Sequence, residues 1–160
     1  MRNKQKGFSL IELLIVVAII LIIAAIAIPN LLRSKMAANE ASAVASCRTI
    51  NTAEVVYSST YNVSSVFSTD LASLAGTSCS QSTPPTSSAA CLIDSALAAA
   101  TVAPGKSGYT FTYAGGTGSY TVNGNPVSAG STGVRYFWTD ETNVIRALST
   151  GPASANSAPI

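Results

Sequence analysis

From Leu13 to Ile28 the chain has sixteen consecutive residues without a polar side chain, and no charge falls between Glu12 and Arg33. Wound as a helix at about 1.5 Å per residue, this run nearly spans hydrocarbon about 30 Å thick. Pro29 closes the run. It cannot donate to the carbonyl of Ala25 and its ring crowds that turn, which predicts a kink or loosening just before it. Beyond Pro29 the pattern changes: Arg33, Lys35, Asn39, Glu40, Arg48 and Glu54 are interleaved with Met36, Ala43, Cys47, Ile50, Tyr57 and Tyr61. Steps of three, four and seven bring the second set to one face. The expectation is one helix of roughly 80 Å, apolar over residues 8–32 and amphipathic over 33–61. A globular domain closes over the apolar side of its second half, and the charged side faces solvent or neighbouring copies.

Residues 62–108 are rich in Ser, Thr, Ala and Pro and read as loop with short helices near Thr69–Leu74 and Cys91–Ala100. Asp70 can cap the first, and Asp94 sits in the opening turn of the second. Residues 109–150 alternate with period two in four runs, Tyr109–Tyr113, Tyr120–Val122, Val134–Thr139 and Val144–Leu148, divided by Gly- and Asn-bearing turns. They predict an antiparallel four-stranded meander with Tyr109, Phe111, Tyr113, Val122, Tyr136 and Trp138 as candidates for its apolar face. Asn123-Gly124 offers an alternative hairpin turn that would end the second strand early. Residues 151–160 read as an uncharged, mobile tail. The fold class is therefore α+β, a long N-terminal helix packed by a small sheet.

Composition narrows the chemistry. Charged residues make up 10% of the chain, against about 25% in ordinary soluble proteins, which suits a surface buried against copies of itself. There is no histidine, the commonest general base, and no serine has a plausible triad around it. Gly105-Lys106-Ser107 resembles the end of a phosphate loop, but Ala100 stands where that loop needs glycine. Asp140 and Glu141 are adjacent and, in an extended chain, point to opposite faces. We expect no enzyme, no cofactor, no metal site and no nucleic-acid partner. The aromatics are more simply core packing than a path for electrons, and Asn62-Val63-Ser64 is a sequon of a kind common by chance.

Of the three cysteines, Cys79 and Cys91 bracket a short loop and are the favoured disulfide, constraining it by about 3 kcal/mol. Cys47 then remains as a small apolar residue on the helix; its pairing with either of the others is the rival reading.

Arg2, Lys4 and Lys6 precede the apolar run and only Arg33 and Lys35 follow closely, so the amino end should stay cytoplasmic and the bulk of the chain should cross. Two details separate this from a simple signal or anchor. Glu12 places a carboxylate at the cytoplasmic shoulder of the helix, where burial costs roughly 2.5–3.5 kcal/mol without a partner. Gly7 lies ahead of the apolar run, so cleavage after it leaves the whole helix on the mature chain. Loss of residues 1–7 also removes three of the nine basic residues, leaving six against seven acidic ones.

Lys6-Gly7-Phe8-Ser9-Leu10-Ile11-Glu12-Leu13, followed by Leu14 to Pro29, resembles the class III leader and N-terminal helix of type IV pilins and pseudopilins. The resemblance implies cleavage between Gly7 and Phe8 by a membrane-embedded prepilin peptidase, methylation of the new amine, and pairing of Glu12 with the N-terminus of a neighbouring subunit. It implies a homopolymer with adhesion or motility roles. The subunit is stored in the bacterial inner membrane, drawn out by an assembly platform and displayed on the cell surface. Left to itself, Glu12 has other options: a pair with its own Phe8 amine, or exposure at the headgroups. Leu21 stands where many relatives carry the glycine from which the stretch to the proline tends to melt, which weakens the expectation of extensive unwinding here without setting its extent. The rival readings are a type II secretion pseudopilin, whose acidic calcium loop is not found, and a minor pilin that binds DNA or surfaces. No cysteine follows Cys91, so the carboxy-terminal cysteine loop of many pilins is missing too.

Overall fold

The computed structural model describes residues 8–61, 66–76, 79 and 84–160. The leader and the Asn62-Val63-Ser64 sequon lie outside them. The chain divides into two compact units, the first reaching to Lys35 and the second running Met36–Ile160. Helix α1, Leu10–Tyr61, contributes to both, and its helical backbone continues through Pro29.

In the second unit α1 buries Glu40, Ala43, Cys47, Ile50, Glu54 and Tyr57, alternating steps of three and four that keep one stripe inward. Two members are carboxylates, contrary to the expectation that the charged residues face away from the domain. Each is buried because the sheet side supplies donors. Glu40 Oε1 accepts the backbone N–H of Val134 at 2.8 Å and of Arg135 at 3.1 Å, and its Oε2 lies 2.7 Å from Arg135 Nε. Burial alone would raise the Glu40 carboxyl; the Val134 N–H and then the Arg135 side chain and N–H outweigh it and hold the group below the usual carboxylate range. Glu54 is fully buried with no cation against it among the described residues: it accepts the Ser68 N–H at 3.1 Å, the Ser68 hydroxyl, and the Tyr113 hydroxyl at 2.6 Å. Between them Asn51 donates to Thr139 Oγ1 and accepts from the Tyr120 hydroxyl.

The described residues of the connecting region hold two helices shorter than expected, α2, Leu71–Ala75, and α3, Ser95–Ala98. Asp70 caps α2, accepting from Ser73 N–H at 2.7 Å. Asp94 is itself the cap of α3 rather than part of its first turn, accepting from Leu97 N–H at 2.6 Å and pairing with Lys106 at 2.8 Å. A disulfide joins Cys79 to Cys91, and Cys47 is free and buried.

Among the described residues the sheet has five strands, not four, in the order β1-β2-β3-β4-β5 and antiparallel throughout. They are β1 Tyr109–Gly115, β2 Tyr120–Pro126, β3 Tyr136–Asp140, β4 Arg146–Leu148 and β5 Ala158–Pro159. The fifth comes from the segment read as a tail, which returns to pair with β4. Asn123-Gly124 does not turn: it lies within β2, opposite Phe111 and Phe137. A Cβ on Gly124 would come within 3.3 Å of the Phe111 ring, so glycine there makes room for the two aromatics. The register also corrects the apolar face. Phe137 and Thr139, not Tyr136 and Trp138, share a side with Val122, Phe111 and the stripe on α1. The core joins that stripe to Leu71, Leu74, Leu97, Tyr109, Tyr120 and Phe137, each large side chain contributing about 1.5–3 kcal/mol on full burial.

Candidate functional site

Among the described residues the first unit is one stretch of helix with two residues ahead of it. Ser9 precedes the first helical residue and Glu12 is the third, the spacing of a capping box. Glu12 Oε2 accepts the Ser9 N–H at 2.9 Å, and Leu13 N–H donates to the Ser9 carbonyl at 3.2 Å. The carboxylate thus sits at the positive end of the helix dipole and satisfies one of its orphan donors. Its Oε1 has no partner among the described residues.

Past Glu12 the helix is apolar on every side. Phe8 is 74% exposed, and the Leu, Ile and Val side chains from Leu10 to Ile28 all stand open to the surroundings. Leu10, Leu13, Leu14, Val17, Ala18 and Leu21 line one strip of it. The helix is long and apolar enough to cross a membrane, and its most apolar window is unburied within the molecule. Such a surface is stable only in lipid or against other apolar helices.

The predicted site residues fall out as follows. Phe8 and Glu12 stand within five residues at the exposed helix start, while Gly7 lies outside the described residues. Pro29 is inside α1. Cys79 and Cys91 are joined in the second unit. Glu40 and Glu54 were not expected to be functional; the signal that would have found them is their fourteen-residue separation, which puts both on the same stripe as Ala43, Cys47, Ile50 and Tyr57.

Residues 2–28 match the model of the prokaryotic N-terminal methylation motif. The N-terminal segment is therefore similar to that of type IV pilins. That segment is also similar to the type IV wide pilus major component PilA4 of Thermus thermophilus, 65% identical over 40 residues. The match covers 25% of this chain and 30% of that relative. No solved structure matches the chain. The pilin-type segment and the exposed apolar helix are therefore the same residues, and the cap at Glu12 lies within them.

Proposed function

We propose that the chain is a structural subunit of a type IV pilus, held in the inner membrane by α1 and polymerised through it. The observation that carries this reading is the apolar helix from Phe8 to Ile28, exposed on all sides, with one carboxylate at its start. Prepilin peptidase cleaves between Gly7 and Phe8, and methylation leaves a secondary ammonium on Phe8. Glu12, with one oxygen on its own Ser9 N–H, offers the other to the ammonium of a neighbouring subunit. In a bundle of like helices that pairing offsets the cost of placing a carboxylate in hydrocarbon.

Moving from lipid into the bundle exchanges one apolar surface for another, so the apolar face remains covered throughout. Repetition of a head-to-tail contact that does not close gives an open helical polymer. Pro29 supplies the point at which α1 bends to suit the packing of the heads. The subunit's role is mechanical rather than catalytic.

The test is a pair of variants expressed in a cell that has the assembly system. Glu12→Ala is expected to be cleaved normally, with Phe8 as its first residue, and to form no filaments. Gly7→Glu is expected to remain uncleaved. Filaments of normal number and length from Glu12→Ala would remove the assembly role of the acid, and a mature terminus other than Phe8 would remove the processing site. Electron microscopy of sheared surface material separates a long fibre from the short periplasmic assembly of a pseudopilin.

A further inference from the structure

Each flank of the β1–β4 ladder is covered by a segment of the same chain. On β1, Tyr109 exchanges both backbone bonds with Lys106, and Phe111 N–H donates to the Ala100 carbonyl, so residues 100–106 lie along its outer side. On β4 the cover is β5, which pairs through Arg146↔Pro159 and Ala147↔Ala158, with Ile160 N–H on the Ile145 carbonyl at 3.1 Å. Beneath that cover Val144, Ile145, Ala147 and Leu148 form a short apolar run interrupted by one charge, Arg146. Left open, an edge of this kind is a template for strands of other chains.

The parity of the ladder decides what β5 presents to its own free side. In an antiparallel pair, hydrogen-bonded and non-hydrogen-bonded positions alternate. Ile160 bonds to Ile145, so Ala158 and Ala147 form the next bonded pair, while Pro159 and Arg146 between them turn their backbone groups away from each other. The outward donor position on β5 is therefore a proline, which has no N–H to give. No charge occurs from Ala147 to Ile160, so charge repulsion does not close this flank. The segment that carries β5 is seated apart from the main core. Arg146 stands opposite Trp138, on the side of the sheet turned away from Phe137 and Ala147. Its Nη1 donates to the Ser157 carbonyl at 3.1 Å, and Ser154 N–H donates to Ser157 Oγ at 3.0 Å. Trp138 and Ala153 are buried, yet neither belongs to the main core.

We propose that residues 152–160 are an edge guard, a segment that occupies β4 so that no other chain can and that ends in a proline so that it recruits no strand itself. The short tether holds the chain's own segment at β4 ahead of any competitor from outside. Pro159 then terminates the sheet. Because the guard adds two ladder positions to β4 and covers Trp138 rather than the main core, it comes away as a unit while the rest of the head stays folded. On the proposed filament reading heads are crowded together, which is where an open edge does most harm, but the guard stands or falls on a dispersed chain in detergent.

The test is a chain ending at Gly151, kept in detergent beside the full-length protein. Its core is expected to stay closed, read as a Cys47 thiol that iodoacetamide does not reach. Trp138, the one tryptophan of the chain, is expected to shift its emission to the red and to become accessible to acrylamide. On concentration the shortened chain is expected to gain the amide I infrared signature of strand pairing between molecules, which the full-length chain lacks and which association through α1 does not produce. The same truncation carrying Ala147→Pro, which removes the β4 donor on the vacated edge, is expected to lose that signature while Trp138 stays exposed. In the full-length chain Ala158→Pro deletes the N–H that β5 gives to Ala147, and should show the changes of the truncation to a lesser degree. A shortened chain with Cys47 protected and no strand pairing would overturn the guard. So would pairing that survives Ala147→Pro, since apolar adhesion would then be its cause, or labelling of Cys47 in both the truncation and Ala158→Pro, since the segment would then be part of the core.

Discussion

Replacing Tyr113 by Phe deletes one hydroxyl and leaves the ring in place, which makes it a clean probe of the buried Glu54. The hydroxyl lies 2.6 Å from Glu54 Oε1 and 3.0 Å from the Ser68 carbonyl. It is fixed there because Gly115 has no side chain: a Cβ would fall 2.2 Å from that oxygen. A hydrogen bond to a charged group contributes about 1.5–3 kcal/mol. Glu54 retains the Ser68 N–H and hydroxyl in the variant, so the lower part of that range applies, about 1.5–2 kcal/mol. At about 4 °C per kcal/mol for a domain of this size, the midpoint of thermal unfolding should fall by roughly 6–8 °C. The measurement is near-ultraviolet circular dichroism of the intact chain in detergent, with Tyr136→Phe as a control expected to stay near wild type, since its hydroxyl has no hydrogen bond among the described residues. A fall of less than about 2 °C would refute the claim that the carboxylate is held by this network. Burial, and then the hydrogen bond to Glu54, push the Tyr113 hydroxyl well above its ordinary 10.0. A raised folded value favours the neutral phenol, so its contribution is intact below 10.0 and lost as pH climbs beyond it. Alkaline unfolding should accordingly be steeper in wild type than in the Phe variant.

Glu40 has the opposite sign. Its carboxyl is held below the ordinary 4.5, so its contribution is present above that value and disappears as pH falls through the lowered one. Arg135→Met should weaken the head at neutral pH by about 1 kcal/mol, the partner guanidinium being partly exposed, and flatten its acid titration; an unchanged acid profile would count against the pair. Burial pushes the Cys47 thiol up to about 12, so iodoacetamide should leave it unmodified in the native chain and label it once in denaturant. Native labelling at the rate of a free thiol would show that the helix face is open. Reduction of Cys79–Cys91 releases a loop of twelve-residue separation, and should lower head stability by about 3 kcal/mol while leaving α1 helical content unchanged. A loss of helix on reduction would show that the loop supports the spine.

The N-terminal helix and its likeness to that of pilins were legible because a long apolar run, a leading glycine and a single acid are local features that survive without tertiary context. The disulfide was legible for a similar reason, two cysteines bracketing one loop. The seat of the head on α1 was not. Polarity assigned Glu40 and Glu54 to the outer face, but burial of a charge depends on what the partner elements present, and the partners are Val134, Arg135, Ser68 and Tyr113, far away in sequence. The same non-local logic decided β3, where Phe137 rather than Trp138 faces the helix because Gly124 across the ladder leaves space for it. It also decided the tail, whose small uncharged residues look mobile until β4 offers them an edge.

These misses share a cause that bears on assembly. In the first unit the apolar surface is left without a partner among the described residues, whereas in the second unit Glu40, Asn51 and Glu54 on α1 are matched to donors and acceptors on the sheet and on the loops beside it. On the proposed filament reading the subunit passes from lipid to a bundle and needs its helix surface interchangeable, and hydrocarbon contacts, being non-directional, allow that. Its head must keep one orientation on the spine under the same transfer. Directional bonds at Glu40, Asn51 and Glu54 supply that constraint at three levels along the stripe. Apolar packing alone would let the sheet slide by a turn of helix with little change in buried area; displacing it by one turn would orphan both carboxylates at once. The buried acids therefore fix the register of head on helix, while on the proposed filament reading the apolar run leaves the register of helix on helix to Glu12.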